Sequence, residues 1–152
     1  MKTLRLIGMA VIAIIMSVNF AACSDDDDET PTTDKLVGQW TLTYEEVWRK
    51  FQNHPEKNYE HKGEPKDECY LYGHLTFNEN GNFTEYEMDN TIIGTGKWIL
   101  RNNELTLIYK VDEKYPQTLK VIEFSSNKLV LEYYYKEDTG NEEYCKMTYQ
   151  RE

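Results

Sequence analysis

Residues 94–109 read Gly94-Thr95-Gly96-Lys97-Trp98-Ile99-Leu100-Arg101-Asn102-Asn103-Glu104-Leu105-Thr106-Leu107-Ile108-Tyr109, two alternating runs around a polar turn. In the first run Gly94, Gly96, Trp98 and Leu100 share one parity, and Thr95, Lys97 and Ile99 the other. In the second, Leu105, Leu107, Tyr109 and then Val111 alternate with Glu104, Thr106, Ile108 and Lys110. Successive side chains of a strand point to opposite faces, so this period describes strands with one buried face. Arg101-Asn102-Asn103 has the polar composition of a tight turn. The stretch predicts a β-hairpin, and helix-type spacing is hardly visible elsewhere in the body of the chain.

Working outward, the same grammar repeats. Upstream, Cys69, Leu71, Gly73, Leu75 and Phe77 alternate with Tyr70, Tyr72, His74 and Thr76. Asn80-Gly81 then supplies cheap positive φ for a hairpin. Residues 83–88 break parity at Phe83, Tyr86 and Met88, which predicts a bulge or an edge. Earlier, Trp40, Leu42 and Tyr44 alternate with Thr41, Thr43 and Glu45, in a run extended to Trp48. Downstream lie a strand over 117–124, the turn Ser125-Ser126-Asn127, then Leu129, Leu131, Tyr133 and Tyr135 on one parity, and finally Cys145, Met147 and Tyr149. Eight strands with mostly short links hide their apolar faces by closing into a barrel or by packing as two sheets. The short links favour an all-β, eight-stranded antiparallel up-and-down barrel, with a β-sandwich as the alternative. In the barrel the first and last strands pair, which brings Cys69 and Cys145 to the same end.

The amino terminus has a different character. Lys2 and Arg5 precede an apolar run from Leu6 to Met16, and Phe20-Ala21-Ala22-Cys23 follows, the layout of a secretory leader with a small-residue cleavage site. Residues 20–23 resemble a lipobox, with Phe20 where Leu is usual, so residues 1–22 are expected to be a signal peptide and Cys23 to carry lipid. The apolar stretch is marginal against the roughly 20 residues that cross a bilayer. Ser24-Asp25-Asp26-Asp27-Asp28-Glu29 cannot collapse on itself, so residues 23–35 read as a solvated tether and residues 36–152 as one domain. A serine and acids after the lipidated cysteine look like the export signal of surface lipoproteins in Bacteroidetes-type bacteria. That resemblance implies an outer-membrane lipoprotein at the cell surface, with the periplasmic leaflet as the alternative.

The chain carries 27 Asp+Glu against 17 Lys+Arg, a net charge of −10, and the leader holds Lys2 and Arg5 but no acid. Nucleic acid is an unsuitable partner for so acidic a surface. Cys69 and Cys145 lie in a small exported domain, where a disulfide is expected and two buried thiols are the alternative. A bridge would close a long loop, worth roughly 4 kcal/mol in the entropic account.

Gly38-Gln39-Trp40 on the first strand and Tyr149-Gln150-Arg151 on the last resemble the lipocalin superfamily, in which Gly-x-Trp is covered by an arginine from the final strand. The phrases at 75–83 and 94–98 look like those of the lipocalin-like lipoproteins of Bacteroidetes. The resemblance implies that Trp40 plugs one end, Gly38 starts the strand beneath it and Arg151 caps it by cation–π stacking.

Parity places Trp40, Tyr44, Trp48, Trp98, Tyr109, Tyr133, Tyr135 and Tyr149 inside. Such rings either fill a barrel of this size or line a cavity within it. For a cavity, Tyr44, Trp98, Tyr109 and Tyr133 are the expected wall, with Gly94 and Gly96 making room, and the ligand is a small amphipathic or apolar molecule. Residues 49–68 form the one long connection, read as a lid or loop. For a filled barrel, loops and the outward Tyr70, Tyr72 and Tyr134 would contact an envelope protein or glycan. His54 and His61 lie seven apart on that connection, a poor metal set that reads as solvated. Nucleophile elbows, phosphate-cradling glycine loops and paired Cys-x-x-Cys sites are absent, so neither an enzyme nor a cofactor is expected.

Overall fold

A computed structural model describes residues 31–66, 69 and 73–151. The expected signal peptide, Cys23 and most of the acidic tether lie outside the described residues, as do Tyr70, Leu71 and Tyr72. A helical turn, α1 (Thr33–Leu36), precedes nine described strands: β1 (Gly38–Lys50), β2 (Tyr59–Gly63), β3 (His74–Phe77), β4 (Asn82–Tyr86), β5 (Ile92–Arg101), β6 (Glu104–Tyr109), β7 (Gln117–Phe124), β8 (Lys128–Lys136) and β9 (Glu142–Arg151). Thr33, Asp34 and Lys35, read as the end of the tether, thus belong to α1 at the foot of the fold.

All pairings are antiparallel between neighbours, and β1 also pairs with β9 from Trp40↔Arg151 to Lys50↔Glu142, which closes the ring. β2 and β3 lie along the same edge of β1, β2 beside Glu45 to Arg49 and β3 beside Gly38 to Thr41. They act as one interrupted stave, so the strands form an eight-staved up-and-down barrel. A closed β1–β9 seam is what a sandwich lacks.

The turns explain the register. Gly81 adopts φ 78° and its N–H donates to Asn78 O at 3.0 Å, closing the β3–β4 hairpin. Asn102 takes φ 54° in the two-residue turn between Arg101 and Glu104, a conformation asparagine tolerates. These turns, the Ser125–Asn127 turn and α1 gather at one end, here called the floor. The opposite end carries the connections at 51–58, 87–91, 110–116 and 137–141, and forms the mouth.

Three features depart from simple alternation. First, β1 shifts register against β9 between Leu42 and Tyr44, a bulge that reverses the inward set. Trp40 and Leu42 point in below it, and Glu45 and Val47 above it. Tyr44, expected inside, is 37% exposed on the outer face, and Trp48, also expected inside, stacks outside on Tyr144 with centroids 5.7 Å apart. Secondly, residues 49–68 are no simple loop, since β1 runs on to Lys50 and β2 pairs back onto it. Thirdly, the break at 83–88 is a bulge at Glu85/Tyr86, below which Phe83 and Glu85 both point in.

The floor half is hydrocarbon. Trp40, Phe77, Phe83, Phe124, Leu105 and Leu129 are fully buried there. Each such side chain contributes about 1.5–3 kcal/mol relative to exposure.

Candidate ligand site in the mouth half of the barrel

The floor is sealed by a small assembly around Trp40. Its indole N–H donates to Leu36 O at 2.8 Å, tying α1 beneath the ring. The Arg151 guanidinium carbon stands 4.4 Å from the Trp40 ring centroid, and Nη2 donates to Val37 O at 3.2 Å and also to Lys35 O. Gly38 has φ 135°, a backbone conformation that favours glycine, and Arg151 Nε stands in ordinary contact, 3.6 Å from where a Cβ would be.

Trp98, expected in a ligand wall, belongs to this floor half instead. It is nearly buried, lies edge-on to Phe77 at 5.4 Å and donates its indole N–H to Asn78 O at 3.2 Å. Gly94 and Gly96 point in, but they make room for side chains of the barrel itself. A Cβ on Gly94 would stand 2.6 Å from Tyr109 Cε1, and one on Gly96 would stand 2.8 Å from Phe83 Cε1.

Above the bulge the interior changes chemistry. Glu45 is 0% exposed: Oε1 accepts the Lys66 backbone N–H at 2.8 Å and lies 3.6 Å from His61 Nε2. Its Oε2 is buried and meets no hydrogen-bond partner among the described residues. His61, expected in solvent, is drawn inward by β2 and is only 11% exposed, with Nε2 2.9 Å from Glu64 O. Two staves round the barrel on β4, Glu85 is 4% exposed and accepts the Tyr109 hydroxyl at 2.7 Å. Tyr133, half-buried, pairs with Cys145 across β8 and β9 and stacks on Tyr135 at 6.5 Å.

Cys69 and Cys145 are both buried thiols and lie side by side. The hydrogen bond to Cys145 and burial push the Cys69 thiol well up. Burial, followed by the charges of Glu85, Cys69, Glu45 and Cys145, raises the Tyr149 phenol well above its ordinary value. Its hydroxyl meets Met147 Sδ at 3.9 Å.

The mouth itself is an open pocket of about 210 Å³ lined by Arg49, Phe51, Tyr135, Glu137, Asn141, Glu142 and Glu143. Arg49 Nε donates to Glu143 Oε1, its partner across the β1–β9 seam, at 2.9 Å on the pocket wall. Outside the barrel, Tyr134 is half exposed and tilts onto Trp48 at 6.1 Å. His54 stays in solvent beside Glu56.

The expected wall is therefore split. Tyr109 and Tyr133 line the mouth half, Trp98 packs the floor, and Tyr44 faces out. The groups that give the mouth half its polarity, Glu45, Glu85 and His61, were not expected there. A carboxylate in an alternating pattern reads as outward, and nothing local to Glu45 marks the bulge beside it.

The family of proteins with a lipocalin-like domain matches residues 36–131. Among solved structures, apocrustacyanin C1 is similar at 13% identity and a TM-score of 0.49, over 82% of this chain and 64% of that one. Lobster apocrustacyanin A1 is similar at 11% identity and a TM-score of 0.47, over 78% of this chain and 62% of that one. The chain thus spans less than two thirds of either crustacyanin. No curated protein matches it. With that match over most of the barrel, the chain belongs to the lipocalin-like domain family.

Proposed function

We propose that this protein is a membrane-tethered lipocalin-like binding protein that captures a small amphipathic or apolar molecule in the mouth half of its barrel. The carrying observation is the Leu42/Tyr44 bulge. It removes two large rings, Tyr44 and Trp48, from the interior and turns in Glu45 and Val47. A barrel of eight strands is just wide enough to be filled by side chains or to hold one small ligand, so the loss of two rings favours the ligand. The apolar floor closes one end, and the pocket between Arg49 and Glu143 opens the other.

The tether rests on sequence: the leader, the lipobox-like Phe20-Ala21-Ala22-Cys23 and the acidic run after it. The chain joins the barrel through α1 at the floor, so a lipid on Cys23 would tether the barrel from the end opposite the mouth. That orientation suits capture from the surroundings at an outer-membrane surface.

Native mass spectrometry of the mature chain, purified without detergent from an exporting host, tests the binding role. An adduct lost on denaturation is expected; a bare chain after exposure to a pool of host metabolites and lipids would remove the ligand reading. A Cys23→Ser variant is expected to leave the membrane fraction, and one that stays there would remove the lipid tether.

A further inference from the structure

We propose that the molecule held in the mouth half is an organic cation, a small amine with N–H donors on an apolar body, whose head sits on Glu45 Oε2. This deepens the preceding proposal and rests on it. Glu45 is wholly buried, its Oε1 is satisfied by the Lys66 N–H, and its Oε2 meets no donor among the described residues. A buried polar atom left without a partner costs about 1–3 kcal/mol, more when charged. An N–H donor brought by a ligand removes that cost.

The charge balance points the same way. Glu45 and Glu85 are both buried and both turn into the mouth half. Among the described residues the cation-capable groups near them are few. His61 stands 3.6 Å from Glu45 Oε1, while Arg49, four residues along β1, is engaged with Glu143. An anionic head would meet two carboxyls there, whereas an ammonium meets an acceptor with a free lone-pair direction. The half-buried rings of Tyr109 and Tyr133 offer apolar surface to the rest of the molecule, and aromatic faces favour a neighbouring cation.

The inference selects head group over body, so it is tested with three probes that share one body: 2-phenylethylamine, 2-phenylethanol and phenylacetate, by calorimetry on the mature chain at neutral pH. The amine is expected to bind roughly 10- to 100-fold more tightly than the alcohol, the range of a hydrogen bond to a charged partner. Phenylacetate is expected to bind weakest. Glu45→Gln, which keeps the shape, is expected to abolish the preference of the amine over the alcohol. Equal affinity of amine and alcohol for the unaltered chain would overturn the inference without any variant. So would an amine preference that survives Glu45→Gln. In both cases a native adduct of another chemistry would leave the binding role standing, whereas its absence would take both proposals down.

Discussion

The Tyr109 hydroxyl donates to Glu85 Oε2 at 2.7 Å across β5, directly over Gly94. Strand β5 lies between β4 and β6, so the tyrosine and the carboxylate reach over it from either side, and a residue without a side chain must sit beneath them. A Cβ at position 94 would stand 2.6 Å from the Tyr109 ring and 3.0 Å from Glu85 Oε2. Gly94→Ala is therefore expected to destabilise the fold by about 1–3 kcal/mol through overpacking. Tyr109→Phe removes a donor from a buried carboxyl, with a loss of about 1–3 kcal/mol. Because the two changes disturb one contact, urea midpoints should show the double variant losing less than the sum; strict additivity would mean that Gly94 and the Tyr109–Glu85 bond are independent.

At the floor, Arg151 joins the last strand to the first by stacking over Trp40 and donating to the carbonyls of Lys35 and Val37. Arg151→Ala is expected to lower stability by roughly 2 kcal/mol, combining a desolvated cation–π contact with lost hydrogen bonds. Arg151→Lys should recover less than half of that, because an ammonium lacks the planar fork. Chemical denaturation measures both. Full recovery by lysine would show that charge alone matters, not the guanidinium geometry.

The barrel was legible in the sequence because most strands keep parity from turn to turn: 94–109 reads inward and outward as the structure has it, and Asn80-Gly81 marks its hairpin. The chemistry of the interior was less legible. One bulge between Leu42 and Tyr44 inverts everything after it on β1, so parity counted from Trp40 sends Tyr44 and Trp48 inside and Glu45 outside. Bulges follow from pairing along the whole β1–β9 seam, not from the residues at the bulge. The strand at Tyr59–Gly63 was hidden for a related reason. Its polar residues have no apolar alternation, and it exists because β1 offers an edge for it.

Cys69 and Cys145 lie together among buried side chains, which makes a definite expectation for each redox state. As free thiols they should resist alkylation in the folded protein at mild alkaline pH, since burial and the mutual hydrogen bond hold the Cys69 thiol protonated. Labelling should appear only with global unfolding. After export into an oxidising compartment the pair is expected as a disulfide, a chain lighter by about 2 Da for the two hydrogens lost. Fast labelling of native protein, together with an unchanged mass after export, would show that the two sulfurs are apart.

Alkaline pH should weaken the fold through two phenols, the buried Tyr149 and the half-buried Tyr144. Tyr149 is raised well above its ordinary value first by burial and then by the charge of Glu85. Tyr144 is pushed up to about 12, again chiefly by burial, with Glu132 beside its hydroxyl at 3.2 Å. A phenol whose folded value is raised keeps its proton longer in the native state than in the unfolded one. Above the ordinary tyrosine value of 10.0 the native state therefore binds more protons, and stability falls as pH rises. The contribution is whole below pH 10 and is lost on the way to about pH 12 and beyond, set by the Tyr144 value. Urea midpoints of the reduced protein should begin to decline above the ordinary thiol value of 9.0, through Cys69, and fall more steeply above 10.0, through the phenols. Tyr149→Phe should change stability at neutral pH by less than about 1.5 kcal/mol, as a near-isosteric swap, yet reduce the alkaline decline. A decline of the same size in that variant would assign the effect to other groups and leave Tyr149 as packing alone.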